Sequence, residues 1–135
     1  QKRLLVKASH RVRFIGGVYD LQELADLRLH AACHVHGHSV GGTNPSLLEA
    51  LACGNVVIAH DNPFNREVAR DAALYFQSAD QLVDSLNSVQ AWSPDARQVV
   101  SDRARAIVAQ HYTWDHITSA YEALMQSERA GAILP

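Results

Sequence analysis

The most constraining stretch of the chain is Val56-Val57-Ile58-Ala59, an unbroken and largely β-branched run between Gly54-Asn55 and a polar loop containing Pro63. An apolar run of this length that does not alternate fits a strand covered on both faces. Such strands belong to parallel sheets walled by helices. Three other short runs can supply neighbours. Val12-Arg13-Phe14-Ile15 alternates as a strand and stops at Gly16-Gly17; Ala32-Cys33-His34-Val35-His36 and Ala73-Leu74-Tyr75-Phe76 read as two more.

Helical patterns separate these runs. Asp20 can cap a helix carrying Leu21, Leu24, Ala25, Leu27 and Ala31, with Glu23 placed as in a capping box. Residues 45–53 form a compact helix with Leu47, Leu48, Leu51 and Ala52 on its apolar side, ended by Gly54. A short helix over 65–70 has Asn65 as its cap, and 80–89 carries Leu82, Val83, Leu86 and Val89. Pro94 opens a helix to about residue 110. Thr113 caps the last one, whose Trp114, Ile117, Tyr121, Leu124 and Met125 predict a buried face. Strand–helix alternation at this spacing implies an α/β fold, a Rossmann-like doubly wound parallel sheet with C-terminal helices over 94–130. About four strands make a thin sheet of this type, so further elements are expected ahead of residue 1.

The length of 135 residues fits one domain, and a formal net charge of −2 gives no bulk attraction to nucleic acid. No run reaches the roughly 20 apolar residues of a membrane helix, and the start lacks a secretory core. Cys33 and Cys53 have no metal-like spacing and read as buried small hydrophobes in a reducing compartment, the cytoplasm.

The chemistry concentrates in Gly37-His38-Ser39-Val40-Gly41-Gly42-Thr43-Asn44-Pro45-Ser46-Leu47-Leu48-Glu49-Ala50. A strand runs into a glycine-rich loop, and the loop into a helix marked by Asn44 then Pro45, a favoured N-cap and a favoured first residue. First-turn amides and the positive end of the helix dipole favour an anion. The loop also lies at the carboxyl end of its strand, where open parallel sheets take ligands. Glu49, one turn on, can accept hydrogen bonds from hydroxyls. An anion together with hydroxyls is the chemistry of a nucleoside diphosphate sugar. The plainer alternative is a solvated glutamate and glycines that only turn the chain.

From Gly42 to Ala59 the sequence resembles the donor-site signature of glycosyltransferase family 4, enzymes of GT-B fold. That signature is a glycine loop, a helix carrying a glutamate, Ala-x-Ala-x-Gly and a buried strand. Arg11-Val12-Arg13-Phe14-Ile15-Gly16 resembles the preceding family strand, and His111-Tyr112-Thr113-Trp114 the entry to its terminal helix. The His-Gly-His-Ser-Val-Gly-Gly-Thr-Asn-Pro-Ser run is similar to a rhamnosyltransferase-like subgroup of bacterial polysaccharide assembly. The resemblance implies that Glu49 matches the second glutamate of a Glu-x7-Glu pair and binds the donor ribose. It further implies that the loop Gly41, Gly42, Thr43 and Asn44 cradles diphosphate and sugar, and that Ser46 adds a phosphate contact. Gly41 stands where the first glutamate belongs, so the carboxylate that faces the donor sugar is missing.

The function so implied is hexosyl or rhamnosyl transfer from a nucleotide-sugar donor to a glycan or lipid-linked acceptor. The resemblance assigns no catalytic residue within this stretch, and it implies no cofactor and no metal. An N-terminal domain outside the stretch would bind the acceptor, and peripheral membrane association of the whole enzyme is allowed. Residues 1–135 alone are expected to bind donor weakly and turn over nothing. A binding module that kept the fold without the chemistry is a further reading.

Two rival motifs overlap this segment. Gly37-His38-Ser39-Val40-Gly41 spells the nucleophile elbow of an α/β-hydrolase-type serine esterase, with Asp61 and His111 or His116 following in hydrolase order. An elbow starts its helix at the serine, which would place Pro45 in the second turn at a cost of about 3 kcal/mol. His34, His36 and His38 alternate as zinc ligands could, but strand residues two apart stand roughly 6.5–7 Å apart, wide for one tetrahedral ion. His36 or His38 is expected to line the donor pocket with His34 packed beneath. In the loop after the buried strand, Asn65 and Arg66 are further pocket candidates, Arg66 reaching phosphate or pairing with Glu67.

Overall fold

The computed structural model describes residues 9–129. Its elements run α1 (Leu21–Leu29), β1 (His34–His36), α2 (Pro45–Ala52), β2 (Val57–His60), α3 (Pro63–Ala69), β3 (Ala73–Phe76), α4 (Ala79–Gln90), α5 (Pro94–His111) and α6 (Trp114–Arg129). The strands form a parallel sheet in the order β1-β2-β3, so the run singled out by its apolarity is the central strand. Val57, Ile58 and Ala59 are fully buried.

Register decides which side chains share a face. Val57 and Ala59 pair with Ala73 and Tyr75 and pack with Leu47, Ala50 and Leu51 of α2, Val68 of α3, and Ala104 and Ile107 of α5. Ile58 pairs with Leu74, and both pack on the opposite face with Phe76 and with Leu82 and Val89 of α4. Helices therefore cover both faces, as a parallel sheet requires. Each fully buried Leu or Ile contributes about 1.5–3 kcal/mol through its removal from water. On β1, His34 pairs with Val57 and His36 with Ala59, which puts both histidines on the α2 face.

The helix starts follow side-chain capping. Asp20 accepts from the Glu23 N–H, Asn44 from Ser46, Ser78 from Gln81, Ser93 from Ala96 and Thr113 from His116. Pro45, Pro63 and Pro94 occupy first-turn positions. Gly54 follows α2 at φ +74°, a left-handed backbone that glycine adopts without strain.

Several expectations need correction. Among the described residues the sheet has three strands, and the expected strand over 12–15 is not one of them: Val12, Phe14 and Ile15 are exposed and outside the ladder. Alternation only selects a face; a strand also needs an edge to pair with, and this segment pairs with none among the described residues. The short helix starts at Pro63 rather than 65, and its cap is Asn62, whose Oδ1 accepts from the Asn65 N–H at 2.9 Å. α1 forms as expected, yet no residue in it is buried. The α6 stripe is not core packing either, with Trp114 83% exposed and Tyr121, Leu124 and Met125 open to solvent. Cys33 and Cys53 are free and only half-buried.

Candidate functional site

The loop from β1 to α2 lies at the carboxyl end of the sheet. Gly41 has φ +125°, a region closed to most L-residues, so glycine rather than glutamate suits this backbone. Among the described residues, the N–H groups of Gly41, Gly42, Thr43 and Asn44 make no hydrogen bond. The helix itself offers fewer donors. Asn44 Oδ1 takes the Ser46 N–H at 3.0 Å and the Ser46 hydroxyl at 2.9 Å, and the Leu47 and Leu48 N–H groups turn back to the Asn44 carbonyl. Pro45 has none. The free donors are therefore the loop amides that precede α2, and Ser46 spends its proton on the cap.

Glu49 sits on the second turn of α2 with its side chain 51% exposed. Its Oε2 lies 2.6 Å from Nη2 of Arg28, a residue of α1 whose side chain is only 14% exposed. The Arg28 carbonyl accepts from Asn55 Nδ2 at 2.6 Å. Sequence reading missed Arg28. Its partner is distant in the chain, and no local pattern marks an arginine that folds back onto a later helix.

The three histidines of the β1 segment form a column. Ring centroids of His34 and His36 stand 6.1 Å apart, and those of His36 and His38 4.7 Å apart. His36 is 2% exposed, His34 is half-buried and His38 is open. The Nε2 atoms of both His34 and His36 are buried without a hydrogen-bond partner. Burial, then the charge of Arg28, holds His34 below the usual imidazole range. Burial, then His38 and His34, does the same for His36. Both rings are therefore held toward the neutral form. Among the described residues no three His, Cys, Asp or Glu side chains converge as ion ligands.

The loop after β2 is held by its own polar groups. Asn65 is buried, and its Nδ2 donates to the carbonyls of His38 at 3.0 Å and His60 at 2.9 Å, while Asn62 Nδ2 also reaches the His38 carbonyl. Asn65 thus ties the β1 loop to the end of β2. Arg66 pairs bidentately with Asp61, not with Glu67, and its guanidinium lies 4.4 Å from the Tyr75 ring centroid. The hydrogen bond from Arg66 holds the Asp61 carboxyl below its usual range. Burial pushes Tyr75 up to about 12, and its hydroxyl donates to the Arg70 carbonyl. Ser39 lies in the loop, six residues before the helix start at Pro45, so no strand–serine–helix elbow forms.

Two cavities border these elements. One of about 330 Å³ lies between Thr43 and Leu48 on one side and Tyr112, Trp114 and Ile117 on the other. Another, of about 320 Å³, opens at the amino ends of β1 and β2 beside Arg97 and Arg105. Parallel α/β sheets take ligands at their carboxyl ends, which favours the loop side.

Unpaired amides ahead of a helix at the carboxyl end of a parallel sheet present donors in an arrangement suited to an anion. Residues 4–123 match the family model described as glycosyl transferase-like, and the chain belongs to that family. Comparison with curated proteins and with solved structures gave no match. Membership supports glycosyl transfer, with a sugar donor and an acceptor as substrates. No helix among the described residues is long and apolar enough to cross a membrane.

Proposed function

We propose that this chain is the donor-binding domain of a glycosyltransferase that uses a nucleoside diphosphate sugar. The acceptor on this reading is a glycan or lipid-linked saccharide in bacterial polysaccharide assembly, and the transferred unit a hexose or deoxyhexose. The observation that carries the reading is the run of unpaired amides at Gly41, Gly42, Thr43 and Asn44, with Glu49 following on the helix they open. Transfer breaks the bond between the anomeric carbon and a phosphate oxygen. The electron pair leaves on the diphosphate, while an acceptor oxygen bonds the same carbon and its proton passes to the leaving diphosphate or to water. Fixed N–H dipoles are suited to charge that grows on the leaving diphosphate, because they stabilise it more than the ground state. Glu49 supplies acceptors for the ribose diol and so sets where the diphosphate lies.

Calorimetric titration of UDP, dTDP, GDP and ADP against the wild type and Glu49→Ala tests the reading. At least one nucleotide should bind, and the truncation should weaken it by roughly 1–3 kcal/mol, the cost of a lost hydrogen-bonded carboxylate. Unchanged affinity in Glu49→Ala would remove the ribose role.

A further inference from the structure

The proposed ribose ligand is a flexible glutamate on an open helix face, 51% exposed. Such a side chain must lose rotamer freedom when it grips a ligand, and that loss weakens binding. A partner that holds the carboxylate before binding would reduce that loss. Arg28 reaches from α1 and places Nη2 at 2.6 Å from Oε2 of Glu49. The arginine is itself held. Its side chain is 14% exposed, and its own carbonyl accepts from Asn55 Nδ2 at 2.6 Å. Asn55 is buried in the short connection between α2 and β2, so α1 is fastened beside Glu49 and just beyond the end of the same helix.

This attachment is unusual for its element. No residue of α1 is buried, and Leu21, Leu27 and Leu29 stand exposed. A helix without a buried face gains little from packing, so the place of α1 beside Glu49 depends largely on this ion pair and on the Asn55 hydrogen bond. A carboxylate has about four lone-pair sites on two oxygens. One contact to Oε2 leaves Oε1 and further sites for two vicinal hydroxyls.

We infer that Arg28 is a positioning residue for the nucleotide's ribose: it fixes the Glu49 carboxylate and leaves the diphosphate to the loop amides. The inference rests on the proposed donor site and deepens it. Arg28 touches Glu49, not the reacting atoms. Its removal should weaken recognition of the ribose and spare recognition of the diphosphate.

The test compares dissociation constants of a nucleoside diphosphate and of inorganic pyrophosphate for the 135-residue chain. Variants are Arg28→Met, Arg28→Lys, Glu49→Gln and the double Arg28→Met/Glu49→Gln. Arg28→Met should weaken the nucleoside diphosphate about three- to tenfold, the cost of ordering one side chain at binding, and leave pyrophosphate unchanged. Arg28→Lys, which keeps a cation in reach, should recover part of the loss. The double variant should bind no worse than Glu49→Gln alone, because both changes disable one carboxylate. Equal loss for both ligands would make Arg28 a phosphate ligand and overturn the inference. So would a lowered melting temperature with unchanged affinities, which is the signature of a strut. A wild type that binds pyrophosphate but gains nothing from the nucleoside would overturn the ribose site itself, and the inference with it.

Discussion

Gly41 shows how one backbone angle shapes the chemistry available at a site. At φ +125° an added Cβ meets nothing within 4 Å, so the obstacle to a side chain is the backbone alone. Gly41→Glu, which would place a carboxylate in the loop, should destabilise the chain by about 1–2 kcal/mol in denaturant titration. Gly37→Ala, equally open but without the left-handed angle, should be near neutral. The histidine column makes a second residue-level prediction. Folding lowers the affinity of His34 and His36 for protons below the unfolded value of 6.5. Between the folded and unfolded values the unfolded chain binds more protons, so stability is greatest above pH 6.5 and falls as pH drops through it. Denaturant midpoints measured from pH 7.5 to 5 should show this decline, and His36→Gln should flatten it. The positions of Glu49 and Gly41 were legible in the sequence because they are set locally: one helical turn, one glycine in a loop. Arg28 was not, because an ion pair between two helices leaves no spacing to read.

At the scale of elements, caps were the most readable feature. Asp20, Asn44 and Thr113 each accept the hydrogen bond that their sequence position implied. The start of α3 is less legible, because Asn62-Pro63 repeats the Asn44-Pro45 signature while Asn65, two positions inside, is an equally good cap residue by type. That residue proves to be a brace between two strand ends. Asn65→Ala would leave the His38 and His60 carbonyls only the weaker reach of Asn62 Nδ2, at 3.0 and 3.4 Å, and should destabilise the chain by about 1–3 kcal/mol. Asn62→Ala removes a cap and should cost about 1 kcal/mol. Periodicity was a weaker guide than capping. The stripes of α1 and α6 specify an apolar face but not what covers it, and Val12–Ile15 specifies a face without specifying an edge.

Across the whole molecule, the sheet could be read from one buried run, since a strand covered on both faces requires helices on each side. What the sequence could not show was how far the cover extends. α6 leaves Trp114 exposed, whereas Trp92 packs against the cluster of Val56, Ile58, Phe76 and Val89. Trp114→Gln should therefore change stability by less than about 0.5 kcal/mol and abolish most acrylamide-quenchable fluorescence. The two ends of the sheet offer rival ligand sites, the loop amides at one and the Arg97–Arg105 cavity at the other. The direct discriminator is a nitrogen–proton correlation spectrum recorded while a nucleoside diphosphate is titrated. The largest shifts should fall on the amides of Gly41, Gly42, Thr43 and Asn44, with smaller ones near Glu49 and Arg28. Shifts gathered instead around Arg97, Ser101 and Arg105, with the loop amides unmoved, would contradict a diphosphate held before α2.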